Sequence, residues 1–375
     1  MKIATFGVEQ WMAAHEMNCE WNLAETCVAS LTVDELLTLT GRGAQALDEL
    51  RELRLTYGDI EGSDGLRERI AALYDRQSTE NVLSTHGAVG ANQLIYLTLV
   101  EPGDRVVSIV PTYQQHTSIP ESLGADVRVL RLREEGGWLP DLDELQALVG
   151  DGAKLITFTN PNNPTGSLMG RAELERIAEI AESCGAYVLG DEVYRGTDQL
   201  GDGTTASIAD LYERGISIGS MSKAFSLAGL RLGWMVGPAG LLHAVSVHRD
   251  YNTISVGMID DHFARLALEH ADRVLERSRT IVRGNLEILD AWVAGEERIS
   301  YVKPLSGTTA LLRYDTDGPS QEFCLRLLDR TGVMLTPGEA LDVEGYLRIG
   351  YANHPEVLRG GLERFSDFLA DTAAG

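Results

Sequence analysis

The chain has 375 residues, 44% of them hydrophobic, which is enough for a large buried core and too long for one simple domain. Its formal charge of −24 at pH 7 disfavours nucleic acid and anionic membrane as partners, because both repel such a surface. The four cysteines show no CxxC or metal-type spacing, no run of about 18 apolar residues occurs, and the first residues lack the apolar stretch of a signal peptide. These features set the expectation of a cytoplasmic protein with reduced thiols, no metal and no membrane partner.

Residues 1–44 follow no clear pattern and are expected to pack on a smaller unit or to cover a cleft. From about 45 to 285, short apolar runs alternate with helical periodicity. Strand-sized runs stand at 105–111, 126–132, 154–159, 186–191, 216–221 and 233–238. "GRAELERIAEIAESCGA" (170–186) is an amphipathic helix, and 261–295 reads as one long helix. Apolar strands alternating with helices predict an α/β fold with a mostly parallel central sheet and helices on both faces. After 286, "ISYVKPLSGTTALLRYD" and "GYLRIGYA" predict strands of a smaller α+β unit. The expected division is a large domain over 45–285 and a small domain from 1–44 and 286–375.

Ligands of open parallel sheets bind at the carboxyl ends of strands. Three strands here end in polar chemistry: "NPNNPTG" (160–166), "DEVYR" (191–195) and "SMSK" (220–223). "STHGAVGA" (84–91) adds a glycine turn at a helix start, where backbone N–H groups bind phosphate. Only four lysines occur, Lys2, Lys154, Lys223 and Lys303, and Lys223 directly follows an apolar run. Each feature alone has an ordinary explanation as a turn, cap or exposed side chain. Their order along the chain is what carries weight.

That order, "THGA … PTY … NPNNPTG … DEVY … SMSKAFSLAGLRLGW … YLRIGY", closely resembles the class I/II aminotransferases, pyridoxal-phosphate (PLP) enzymes of fold type I. The resemblance runs from about Leu55 to the end of the chain. It implies that Lys223 bonds covalently to PLP, since burial lowers the pKa of an amine and arginine cannot be deprotonated. By the same resemblance Asp191 pairs with the pyridine nitrogen, Tyr194 and Asn163 reach the ring oxygen, and Tyr113 stacks on the ring. Gly87, Ala88, Ser220, Ser222 and Arg231 hold the phosphate, with Tyr57 reaching it across a homodimer. Arg348, together with Asn163, receives the α-carboxylate of an amino acid substrate.

Three departures point beyond an ordinary aminotransferase. "NLAETC" (22–27) lacks the glycine-rich segment of common members. His86 precedes the phosphate-loop glycine, as in capreomycidine synthases, which cyclise a hydroxylated arginine. Asp198 follows an "RG" pair, similar to the O2-dependent PLP arginine hydroxylases. The N-terminal stretch also looks like the active-site segment of that group, and offers Glu9, Glu16, Glu20 and Glu25 to a guanidinium, with His15 a weaker candidate. The leading expectation is O2-dependent oxidation or hydroxylation and deamination of L-arginine in natural-product biosynthesis, with Lys223, His86 and Asp191 catalytic. The alternative is an α-amino acid aminotransferase. A non-catalytic PLP-sensing domain ranks last, because this acidic chain has no room for a DNA-binding module.

Overall fold

The computed structural model describes residues 2–315 and 318–373. Its larger sheet has seven strands, in the order Val82–Thr85, Gly233–Val236, Gly215–Ser220, Tyr187–Asp191, Leu155–Thr159, Arg105–Val110 and Asp126–Arg131. All neighbours are parallel except around Gly233–Val236, which runs against both strands beside it. The apolar runs of the sequence therefore fall on strands to within a residue or two.

Both faces of this sheet are covered, and the register shows how. Val107, Ile156 and Val188 point into one cluster with helices Leu142–Val149 and Arg171–Cys184. Their chain neighbours Val106, Leu155 and Leu189 point into another with Gly87–Leu99 and Ala239–Arg249. The period of two distributes a continuous apolar strand between two cores. Arg171–Cys184 buries Leu174, Ile177, Ala178 and Ala181, the spacing of one helical face, and ends where Gly185 takes a left-handed φ of 69°.

The smaller sheet is antiparallel, in the order Thr336–Pro337, Tyr346–Gly350, Thr309–Tyr314 and Ile299–Tyr301. A short parallel pairing of Trp21–Asn22 with Val333–Met334 ties the N-terminal segment to this unit. The single helix expected over 261–295 is two helices, Met258–Glu269 and Ala271–Gly295, broken at His270, whose ψ of 35° lies outside the helical range. The break has a packing reason. The first helix buries Phe263, Ala264 and Leu266 against the large unit, whereas the second carries Val282, Leu286 and Leu289 into the core of the small one. Among the described residues no helix is long and apolar enough to cross a membrane.

Parallel strands all finish at one edge, so Thr159, Asp191 and Ser220 are brought together there. Gly350 completes the enclosure. A side chain on it would collide with the backbone oxygen of Glu25, so only glycine lets the N-terminal loop lie on strand Tyr346–Gly350, beside Arg348.

Candidate active site

A cavity of about 340 Å3 opens at this edge, lined by Asn163, Asp191, Tyr194, Ser220, Ser222 and Lys223. Helix Gly87–Leu99 contributes Ala88, Val89 and Asn92, the small unit contributes Arg348, and Tyr113 and Arg231 close the sides. The N-terminal segment roofs it with Val8, Glu9, Met12, Glu16 and the loop Ala24–Cys27.

Asp191 is only 5% exposed. Asn92 Nδ2 donates to its carboxylate at 3.1 Å, and His116 Nε2 stands 3.6 Å away. His116 is itself fully buried, its Nδ1 within 2.8 Å of both Tyr96 Oη and Thr157 Oγ1. Among the described residues no lysine or arginine pairs with Asp191, so a buried carboxylate faces the cavity with room for a cationic partner.

Helix Gly87–Leu99 begins without a side-chain cap, which leaves the first-turn N–H groups of Ala88 and Val89 at the cavity. Gly87 has a φ of 66°, and a Cβ there would stand 3.0 Å from Arg231 Nη2. Ser220 and Ser222 are buried on the opposite side. Amides, hydroxyls and a guanidinium around one point form an anion site.

Lys223 Nζ donates to Thr26 Oγ1 at 2.6 Å and lies 3.6 Å from Cys27 Sγ. Burial pulls the ammonium pKa down, but Cys27, Tyr194 and Glu25 push it up and prevail over Arg348, so it is held above its ordinary value. The expectation of a lowered pKa weighed burial alone; the acidic groups of the N-terminal loop and Tyr194 act against it. Cys27 is pushed by burial up to about 11, and burial raises Tyr194 as well. Glu25 is the third of these neighbours. Burial alone would raise its carboxyl; Lys223 and the N–H groups of Cys27 and Thr26 outweigh that and hold it low.

Arg348 is 2% exposed and forms no ion pair among the described residues. Its Nη1 donates to Asn163 Oδ1 at 3.3 Å, its Nη2 to Thr336 Oγ1 at 3.1 Å and Ala24 O at 3.3 Å, and Nε has no partner. A buried guanidinium with spare donors suits a carboxylate. In the roof, Glu9 accepts from Tyr113 Oη at 2.6 Å, while the Glu16 carboxyl has no hydrogen-bond partner among the described residues. Burial, then Glu25 and Glu9, raise the Glu16 pKa.

Several expected residues lie elsewhere. His86 is exposed outside the cavity, near Asp260. Tyr57 is 77% exposed and does not line this chain's own cavity. Glu20 is exposed, and its N–H is bonded to Gly332 O at 2.9 Å. His15 packs against Trp11, away from the cavity. Asp198 accepts from Ser306 Oγ at 2.7 Å between the two units, and burial pushes it up to about 6. Conversely, Asn92, His116 and Thr26 escaped the sequence reading. Asn92 stands one helical turn beyond Ala88, a spacing that brings it onto the same helix face, whereas His116, in helix Gln115–Ser122, meets Asp191 only through the fold. Nothing local marks Thr26.

Residues 31–364 match the model of the family "Aminotransferase class I and II". Capreomycidine synthase of Streptomyces vinaceus is 31% identical over 98% of this chain and 94% of its own. Arginine–pyruvate transaminase of Pseudomonas aeruginosa is 30% identical over 86% of this chain and 84% of its own. A solved PLP-dependent aminotransferase from Streptococcus suis superposes with a TM-score of 0.96, at 42% identity and 99% coverage of both chains. The chain belongs to the class I and II aminotransferases. It is a PLP-dependent amino acid enzyme with the α/β aminotransferase fold.

Proposed function

We propose that this enzyme removes the α-amino group of L-arginine, or of a close guanidino relative, and passes it to a 2-oxo acid. The observation that carries this reading is the pair of opposed charges in one cavity. Among the described residues Arg348 is hydrogen-bonded only to neutral groups, and Glu16 and Glu9 stand in the roof of the same cavity. An amino acid with a carboxylate at one end and a guanidinium at the other satisfies both. Charge-assisted bonds of about 1.5–3 kcal/mol each would favour it over neutral analogues.

PLP fits the residues between those charges. Lys223 would carry it, Asp191 would face the pyridine nitrogen, and Tyr194 and Asn163 the ring oxygen. Tyr113 would cover the ring, and the amides of Gly87 and Ala88 with Ser220, Ser222 and Arg231 would hold the phosphate. Exposed Tyr57 would reach the phosphate of a second copy in a homodimer. When bound, PLP supplies an electron sink for the charge left at the substrate Cα. Lys223 would move the proton at that carbon.

The fate of the amine separates two readings. His86 and Asp198, which brought oxidation to the fore, lie outside the cavity, and a relative 30% identical is an arginine–pyruvate transaminase. Both favour transfer. The second reading, oxidation of arginine by O2 to a 2-oxo acid (4-hydroxylated or not) and ammonia, is favoured by the acid-rich roof, a segment included in the 98% of the chain aligned with capreomycidine synthase. Incubation with L-arginine in air, without a 2-oxo acid, decides between them. Transfer predicts no oxygen uptake and turnover only once pyruvate or 2-oxoglutarate is added. Sustained oxygen uptake with ammonia release would overturn it.

A further inference from the structure

Loop 22–27, which lacks the glycine-rich pattern of common aminotransferases, is held from both sides. Asn22 Oδ1 accepts from the N–H groups of Ala24 at 3.0 Å and Glu25 at 3.1 Å. Glu25 Oε1 accepts from Thr26 N at 2.7 Å and Cys27 N at 2.8 Å. From the small unit, Thr308 Oγ1 donates to Thr26 O at 2.6 Å, and Gly350 N donates to Leu23 O at 2.7 Å. Thr26 and Cys27 are buried as a result. The loop therefore presents one hydroxyl and one thiol at fixed positions, and the Lys223 amine rests on both.

A lysine that carries PLP is freed each time another amine takes its place on the aldehyde. The freed amine has four rotatable bonds, and unless something holds it near the substrate its proton transfers slow. We propose that Thr26 is a positioning residue that holds the Lys223 amine whenever it is free of the cofactor, with Cys27 Sγ as the second contact and the Glu25 carboxylate behind them. The inference rests on Lys223 being the PLP-bearing lysine. It assigns Glu25 to its own loop and to the charge balance of Lys223, and leaves the guanidinium to Glu16 and Glu9. Other groups facing the amine are Tyr194, which follows the strand ending at Asp191, and Arg348 on the small sheet. Asp191, Arg231, Tyr113, Glu9 and Glu16 share the cavity.

The test needs no knowledge of the substrate. Hydroxylamine takes up the aldehyde carbon of PLP as an oxime and releases the Lys223 amine, and the loss of visible absorbance gives the rate. In the holoenzyme, Thr26→Val keeps the shape and removes the oxygen, so it is expected to slow this displacement about tenfold, the worth of one hydrogen bond to a charged group. Thr26→Ser is expected to retain the wild-type rate. Thr26→Ala serves where the valine variant does not fold. A Thr26→Val enzyme with normal visible absorbance and an unchanged rate would overturn the proposal, as would a serine variant as slow as the valine one, since the methyl group would then be what matters. Borohydride reduction of the wild type keeps the two readings apart: no pyridoxyl group on Lys223 removes the whole site assignment, whereas a labelled Lys223 with an indifferent Thr26 removes the docking role alone.

Discussion

The two walls of the cavity are built by different means. The wall at the sheet edge stands on strand ends: Asp191 closes Tyr187–Asp191, Ser220 closes Gly215–Ser220, and Asn163 follows Leu155–Thr159. All three are buried, and the ladder hydrogen bonds beneath them leave little freedom. The roof is the nine-residue helix Gly7–His15, anchored by Val8 and Trp11, with Trp11 Nε1 donating to Leu335 O at 2.9 Å and Gly7 N to Gln114 Oε1 at 2.8 Å. Glu9 on this helix and Glu16 just after it line the cavity and keep much of their surface in solvent. The contrast teaches a division of labour. A rigid sheet edge suits chemistry shared across a family, and a lightly anchored helix suits the choice of which amino acid enters.

Breaking each wall in turn tests that division. Lys223→Ala should have the largest effect, a loss of activity of roughly 10^3-fold or more, with no pyridoxyl group fixed by borohydride at that position. Arg348→Met should raise KM for any α-amino acid by about 100-fold while the bound cofactor keeps its visible spectrum. A roof variant must act differently. Glu16→Gln should raise KM for arginine by about tenfold and leave KM for an uncharged amino acid alone. It should also flatten a pH dependence. Because burial and two neighbouring carboxylates hold Glu16 above the usual range, wild-type affinity for arginine should fall as pH drops through that raised range, and the glutamine variant should not follow.

The smallest effect belongs to Asp198, outside both walls. Its folded-state pKa is raised to about 6, so its stabilising contribution is complete below its unfolded value of about 3.9 and is lost as pH rises through 6. Asp198→Asn mimics the protonated form. Its melting temperature relative to wild type should therefore climb between acid and neutral pH, with arginine turnover unaffected. A fall over the same range would show that Asp198 ionises more readily folded than unfolded.

The sheet edge was legible from sequence because its signals are local. A strand of buried β-branched residues ends in polar side chains, and parallel packing places those ends together without further information. The groups behind Asp191 were not legible, since Asn92 and His116 meet it only after a helix and a loop have folded onto the sheet. The contacts of the Lys223 amine were not legible for the same reason: its neighbours Thr26 and Cys27 lie almost two hundred residues away along the chain. The break at His270 is set by two cores pulling one apolar stretch in different directions, and local periodicity does not register that. Among the N-terminal glutamates, helical spacing alone did not separate Glu9 and Glu16, which face the cavity, from Glu20, which faces solvent.

L-Citrulline has almost the shape of L-arginine and no side-chain charge, so comparing the two isolates what the roof recognises. The most direct measurement is a titration of the holoenzyme's visible spectrum with each. Two carboxylates facing a guanidinium predict that arginine binds at least about 30-fold more tightly than citrulline. Equal affinity for the two, or tighter binding of an acidic amino acid such as L-glutamate, would contradict the assignment of this cavity to a cationic substrate.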